Sequence, residues 1–343
     1  MKIITKGISM CTRAVYLGDN NLVITGRSMD WGEDMQSDMW VFPAGMARNG
    51  SCGAGSLEWT SKYGSVAVSG YNIGSADGVN EKGLNGNLLY LAESNYGDLN
   101  GKPALSMTLW MQYALDNYAT VAEAVTGLQA EPFRIKAPIL PNGRAASLHL
   151  SLSDPSGDSA IFEYIDGNLT IHHGREYQVM TNSPVFDQQL ALDAYWKEIG
   201  GNVFLPGTIS AADRFARTSY FIGIIPKSVD KNYISAVPEQ KMQYQGVASV
   251  MGVMRSIGVP LGITSPDKPN ISSSIWRTVT DHQNMIYYFD SATTPNTFWV
   301  DLKDIDFSKG APVKKLAIAG GKYYAGNTAG QFVPAEPFAF GTA

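Results

Sequence analysis

Cys11, Arg27 and Asp30 are residues whose types can do chemistry together. One run of sequence carries all three, from Cys11-Thr12-Arg13 to Arg27-Ser28-Met29-Asp30-Trp31. A thiol attacks as thiolate, so its free pKa of about 8.5 must be lowered by positive charge or met by a base. Arg27 is such a charge, and Asp30 is an anion able to hold an amine or to pair with an arginine. If Cys11 is the first residue of the mature chain, its own α-amino group, with a typical pKa of about 7.7–8.0, can serve as the base near neutral pH. Covalent amide cleavage through a thioester is the chemistry this set supports.

The elements that must position them follow from hydrophobic spacing. Apolar residues alternate through Ala14 and Tyr16 and again through Leu22 and Ile24, with Gly18-Asp19-Asn20-Asn21 between, which predicts a β-hairpin whose first strand opens at Cys11. Its returning strand brings Arg27 and Asp30 back towards the thiol. Trp40–Pro43 and Ser65–Tyr71 read as strands, Asp77–Gly83 as a turn, and Leu84–Leu91 as a strand bearing Asn85, Asn87 and Tyr90. Leu105, Leu109, Gln112 and Tyr113 recur at helical spacing, and Thr120–Glu123 is a capping box opening a second helix through about Leu128. Ser147–Leu152, Ser159–Ile165 and Leu169–His172 form an antiparallel meander. Asn182 sits at a strand-to-helix corner, where a lone Asn is ordinarily a helix cap. Pro184 suits the first turn of the helix that follows, and Gly200-Gly201 stops it. Ser210 and Asp213 open a helix carrying Arg214 and Arg217, and Val247–Ile257 forms another, with methionines as core filler. Strand periodicity returns from Ser272 to Asp301, and the end from Gly320 reads as an extended tail. Strands, helices, strands and helices again make an α+β protein in which helix layers cover sheet.

Composition narrows the function. A net charge of -5 over 343 residues does not supply the concentrated basic surface that nucleic acid requires. No apolar run approaches the ~18 residues of a membrane-spanning helix. Of the two cysteines, Cys52 lies in a Gly-rich run and is expected to stay unpaired, because a disulfide would consume the proposed nucleophile. His149, His172, His173 and His282 show no metal-ligand spacing, and no Gly-rich segment has the strand-turn-helix setting of a phosphate loop. Neither metal nor cofactor is expected.

Together, Cys11-Thr12-Arg13, Arg27-Ser28-Met29-Asp30-Trp31, Tyr90, Thr181-Asn182-Ser183-Pro184 and Arg214 resemble the choloylglycine hydrolase family of N-terminal-nucleophile amidases, nearest to its Gram-negative penicillin V acylase branch. The resemblance runs from Cys11 to about Asp306. It implies a four-layer αββα sandwich with two stacked antiparallel sheets, formed by a single domain over residues 11–343. It also implies that Cys11 attacks an amide, that Arg27, Asp30 and Arg214 flank its sulfur and amine, and that the Tyr90 backbone N–H and the Asn182 side chain form an oxyanion hole. The plain alternative for Tyr90 is packing within a layer, and for both arginines it is structural pairing with Asp30. Trp31, Tyr71 and Tyr90 are candidates for an apolar acyl pocket. The substrate class implied is a small N-acyl amide, with penicillin V and N-acyl homoserine lactones ahead of conjugated bile salts. The family also implies a homo-oligomer, a tetramer in its bile salt branch, although the assembly hairpin between Asn182 and Arg214 is missing here.

Met1 to Met10 are too short for a secretory signal. They read as a remnant standing where a signal peptide was, as a short propeptide, or as an over-long start with Met10 the true initiator. The first places the enzyme in the periplasm and the third in the cytoplasm. A second function class is a non-catalytic binding protein that keeps the scaffold and never exposes Cys11. Against it, a pure binder has no need of Arg27, Asp30, Asn182 and Arg214 together.

Overall fold

The structure is a computed structural model that describes residues 10–263 and 272–343. Met1–Ser9 of the leader lie outside the described residues. At the centre is the hairpin of β1 (Met10–Leu17) and β2 (Val23–Trp31), in which Cys11 lies opposite Met29, Arg13 opposite Arg27 and Met10 opposite Asp30. The Gly18 N–H closes its turn on the Leu22 carbonyl at 2.8 Å. Asn20 and Asn21 take the left-handed backbone conformation, with φ of 56° and 60°, that asparagine tolerates better than most residues.

Around this hairpin a seven-stranded sheet runs in the order Val179–Met180, β1, β2, Ser273–Asp281, Ile286–Ser291, Thr297–Asp301 and Gly326–Asn327, antiparallel except for its last pair. A nine-stranded sheet stacks on it, with Asn85–Tyr90 in its middle between Leu148–Ser153 and Gly74–Asn80. Helices α1 (Trp110–Asn117) and α2 (Val121–Gln129) cover the outer face of the nine-stranded sheet. Helices α3 (Phe186–Ile199), α4 (Ala211–Ile224) and α5 (Met242–Ser256) cover the other sheet. The layer order is therefore αββα, the α+β sandwich expected from the sequence.

Side chains alternate across a strand, and here the alternation sorts chemistry. Arg13, Thr25 and Arg27 face the second sheet, where Arg13 donates to the Leu152 carbonyl at 3.0 Å and Thr25 bonds Ser153 at 2.8 Å. The opposite face of the hairpin meets the helices, and α5 lies against it at Gly26. A Cβ on Gly26 would stand 2.6 Å from Val250 Cγ1 and 2.9 Å from Met254 Cγ. Gly26→Ala is therefore expected to destabilise the fold by about 1–3 kcal/mol through overpacking. Thermal or urea melting reads this, and an unchanged midpoint would mean that α5 yields freely.

Four expectations need correction. Asp77 belongs to the strand Gly74–Asn80, and only residues 81–84 lie between it and the next strand. A carboxylate survives in that strand because Thr278 and Tyr287 donate to it across the sheet interface and Asn87 does so from beside it. Leu105 lies in a short strand, Ala104–Ser106, and the α-helix begins only at Trp110. Pro184 precedes the helix that begins at Phe186, because the corner uses its carbonyl to accept from Gln189 at 2.7 Å. In the capping box the Thr120 hydroxyl accepts the Glu123 N–H as expected, but the Glu123 carboxylate reaches back one residue further, to Ala119 N–H at 2.8 Å. The tail from Gly320 lies along the body, with Phe338 against Trp40 and the Gly341 N–H on the Ile73 carbonyl at 2.7 Å.

Candidate active site

Cys11 is buried at the edge of the sheet interface, and its nitrogen is still joined to Met10. Around its sulfur stand Arg27 Nη2 at 3.7 Å, Met29 Sδ at 3.8 Å and the Asp30 carbonyl at 3.9 Å. Burial pushes the thiol pKa up, and the Asp30 carboxylate adds to that rise. Arg27, and more weakly Arg214, pull the other way. Arg27 is itself fixed from three sides. It donates to the Leu88 carbonyl at 3.0 Å, lies over the Trp276 ring at 4.5 Å, and its Nε stands 4.0 Å from an Asp77 carboxylate oxygen. Its ion-pair partner is thus Asp77, not the Asp30 considered from sequence.

On the helix-facing side of β1 and β2 the remaining groups converge. Arg214, on α4, donates to the Cys11 carbonyl at 2.6 Å, to the Thr12 hydroxyl, and to Asn182 Oδ1 at 2.8 Å. It reaches the nucleophilic residue through the carbonyl, with Asp30 Oδ2 at 3.8 Å from its Nη1. One oxygen of Asp30 accepts from Ser28 at 2.7 Å and from Ser274, which a bulge in Ser273–Asp281 presents to it. The other, Oδ2, is buried with no hydrogen-bond partner. A buried carboxylate oxygen in that state costs free energy until a cation or donor meets it.

Asn182 joins the two sides. Its Oδ1 accepts the Cys11 N–H at 2.6 Å, which with the Arg214 bond fixes the amide orientation, and its Nδ2 donates to the Tyr90 carbonyl at 2.7 Å. An amide nitrogen has two hydrogens, so one remains available. The strand Asn85–Tyr90 stays paired with Leu148–Ser153 as far as Tyr90, but its pairing with Gly74–Asn80 ends at Asn87. N–H and C=O of one strand residue point to the same edge. The Tyr90 N–H therefore faces the edge on which its carbonyl meets Asn182. All six residues singled out for catalysis lie in one connected cluster.

Beside the sulfur is an apolar cavity of about 60 Å³ whose walls include Cys11, Trp31, Met35, Tyr71, Tyr90 and Leu140. Trp31 Nε1 donates to the Tyr71 hydroxyl at 2.6 Å, and that hydroxyl in turn meets Glu33. The rings of Trp31 and Tyr90 stand edge to face at 6.4 Å. The three proposed pocket residues thus share one wall. Cys11 and Cys52 are both free thiols. Among the described residues, no group of three or more His, Cys, Asp and Glu is arranged to hold a metal, and no helix is long and apolar enough to cross a membrane.

Sequence reading missed Asp77, Met29 and Trp276 around Arg27. Asp77 was hidden by its turn-like neighbours, and Met29 and Trp276 carry no signal beyond strand periodicity.

Comparison with known proteins puts this geometry in context. Residues 11–314 match the profile of linear amide C–N hydrolases, choloylglycine hydrolase family. The chain is 49% identical to a penicillin V acylase from Pectobacterium atrosepticum, over 96% of this chain and 92% of that one. It is 24% identical to a bile salt hydrolase/transferase from Bifidobacterium longum, over 65% of this chain and 77% of the other. Among solved structures, penicillin V acylase from Agrobacterium tumefaciens superposes with a TM-score of 0.87 at 51% identity, covering 97% of this chain and all of that one (100%). A conjugated bile acid hydrolase from Clostridium perfringens, at 21% identity and a TM-score of 0.72 over 92% of this chain and 98% of that one, shares the fold.

Proposed function

The chain belongs to the choloylglycine hydrolase family of linear amide C–N hydrolases, and from that premise we propose that it is an acylase that cleaves penicillin V through a Cys11 thioester. Once Cys11 is the amino terminus, its thiol gives its proton to its own amine and the sulfur attacks the amide carbon. The oxyanion is met by the free Asn182 N–H and the Tyr90 backbone N–H. The protonated amine then passes its proton to the leaving nitrogen as the C–N bond breaks. Water, deprotonated by the same amine, cleaves the thioester to release the acid and restore the thiol. Asp30 Oδ2, buried opposite Met10 with no hydrogen-bond partner and Arg214 3.8 Å away, is the acceptor the freed ammonium needs.

One observation carries this reading. Asn182 touches the nitrogen of Cys11 with one end of its amide and the Tyr90 carbonyl with the other, so a single rigid group spans nucleophile and oxyanion site.

The Trp31, Tyr71 and Tyr90 wall suits an aryl acyl group. The cavity of about 60 Å³ is smaller than the ~150 Å³ void that accepts benzene, so a phenoxy ring must extend into the mouth. Apolar fit discriminates by only ~1–3 kcal/mol per methylene, which makes long-chain N-acyl homoserine lactones the second substrate class. Initial rates on processed enzyme with penicillin V, a long-chain N-acyl homoserine lactone and glycocholate test the order. Penicillin V is expected to show the highest kcat/KM. Preference for glycocholate would replace this reading with the bile salt one.

A further inference from the structure

His149 and Glu163 touch neither the cavity nor Cys11, yet they form a buried pair directly behind Asn182. His149 Nδ1 lies 2.9 Å from Glu163 Oε1, and His149 Nε2 lies 2.9 Å from the Thr181 carbonyl, the residue before Asn182. A carbonyl can only accept, so Nε2 carries a hydrogen whatever the charge of the pair. The second oxygen of Glu163 accepts the Phe186 N–H at 3.1 Å, at the first turn of α3. The pair thus grips the corner on both sides of Asn182. Inside that corner Gln189 accepts from the Thr181 hydroxyl at 2.6 Å and donates to the carbonyls of Asn182 and Pro184. All four side chains, of His149, Glu163, Thr181 and Gln189, are buried, so each lost bond leaves a group with no water to replace it.

We propose that His149 and Glu163 are positioning residues for the reaction: through the Thr181 carbonyl and the Phe186 N–H they hold the 181–186 corner so that the Asn182 amide meets both the Cys11 nitrogen and the Tyr90 edge. The inference rests on the oxyanion role proposed above for Asn182. His149 sits on the strand Leu148–Ser153 and Glu163 on the adjacent strand Ser159–Ile165, both in the sheet that also carries Tyr90. Asn182 itself follows Val179–Met180, a strand of the nucleophile's sheet, so the pair ties the 181–186 corner across to the sheet that carries Tyr90. Displacing a reacting group by about 1 Å can cost 10²-fold in rate, and this pair sets the placement of Asn182 against Cys11 and Tyr90.

The test compares folded, processed variants by penicillin V kinetics. His149→Leu, which keeps bulk and removes both bonds, is expected to lower kcat by roughly 10- to 100-fold while KM changes less than about threefold. Glu163→Gln should rescue what Glu163→Leu loses. A Gln amide can still accept the Phe186 N–H and donate to an unprotonated Nδ1, leaving His149 Nε2–H to donate to the Thr181 carbonyl. A cycle with Asn182→Ala should show that the losses do not add, because His149 acts through Asn182. Should His149→Leu not fold, His149→Phe, which keeps a flat ring and also removes both bonds, carries the same cycle. Wild-type kcat in a folded His149 variant, losses confined to KM, equal damage from Glu163→Gln and Glu163→Leu, or additive losses would each overturn the proposal. If Asn182→Ala alone keeps full activity, the oxyanion reading itself fails. If it is inactive while the His149 variant is normal, only the positioning inference fails.

Discussion

Cys11→Ala loses penicillin V turnover by roughly 10⁴-fold or more, the scale on which removing a nucleophile acts when nothing else can attack. The loss is expected without unfolding. Residue 11 sits in β1 with its backbone held by Asn182 and Arg214, and alanine keeps both of those contacts. Only a sulfur is removed from a buried site, at a cost of order 1 kcal/mol in apolar burial. Melting curves should therefore nearly overlay those of the wild type. Cys11→Ser is a sharper control, because a hydroxyl fills the same space but is far less acidic than the thiol, and it too should be severely impaired. Intact mass, measured alongside the rates, reports whether the active form begins at Cys11. Turnover within tenfold of wild type in the alanine variant, or full activity in protein that retains Met10, would end the N-terminal thiol mechanism.

How much of this could be read from the chain follows from how far apart the partners lie in it. The hairpin is local, so alternation and the Gly18–Asn21 turn place Cys11 and Arg27 within reach of each other, and the structure has Arg27 Nη2 3.7 Å from the sulfur. Alternation also assigns Asp30 to the opposite face from Arg27, a consequence not visible until the helix layer is known to supply Arg214 there. Asn182 and Arg214 are 171 and 203 residues from Cys11. No spacing rule spans such distances, and family resemblance alone brought them in. Asp77 stayed hidden because a charge beside glycine reads as a turn, whereas here hydroxyls and an amide from neighbouring strands make a buried carboxylate tolerable. His149 and Glu163 are adjacent only through strand pairing, and a lone polar residue on an alternating strand looks like an outward-facing one until the second layer is in place.

Asp30→Asn is expected to lower kcat by about 10³–10⁴-fold, the effect of neutralising a carboxylate that orients a catalytic base without changing its shape. Asparagine can keep the Oδ1 contacts to Ser28 and Ser274. What it replaces is Oδ2, the buried oxygen 3.8 Å from Arg214, with an NH₂ that cannot accept from the freed amine. The amine loses the anion that holds it protonated and aimed, so proton delivery to the leaving nitrogen fails. The thiol responds in the opposite sense. Burial raises its pKa and the Asp30 carboxylate raises it further, while Arg27 and Arg214 lower it. Removing the carboxylate deletes one upward push and leaves both arginines acting, so the thiolate fraction at a given pH rises. Alkylation of Cys11 by iodoacetamide should therefore become faster at neutral pH, and its pH profile should shift towards acid, in the same variant whose turnover has collapsed. That opposition separates a charge at the reaction centre from a structural ion pair. If alkylation slows with turnover, or turnover survives, Asp30 serves the fold alone and another group must hold the amine.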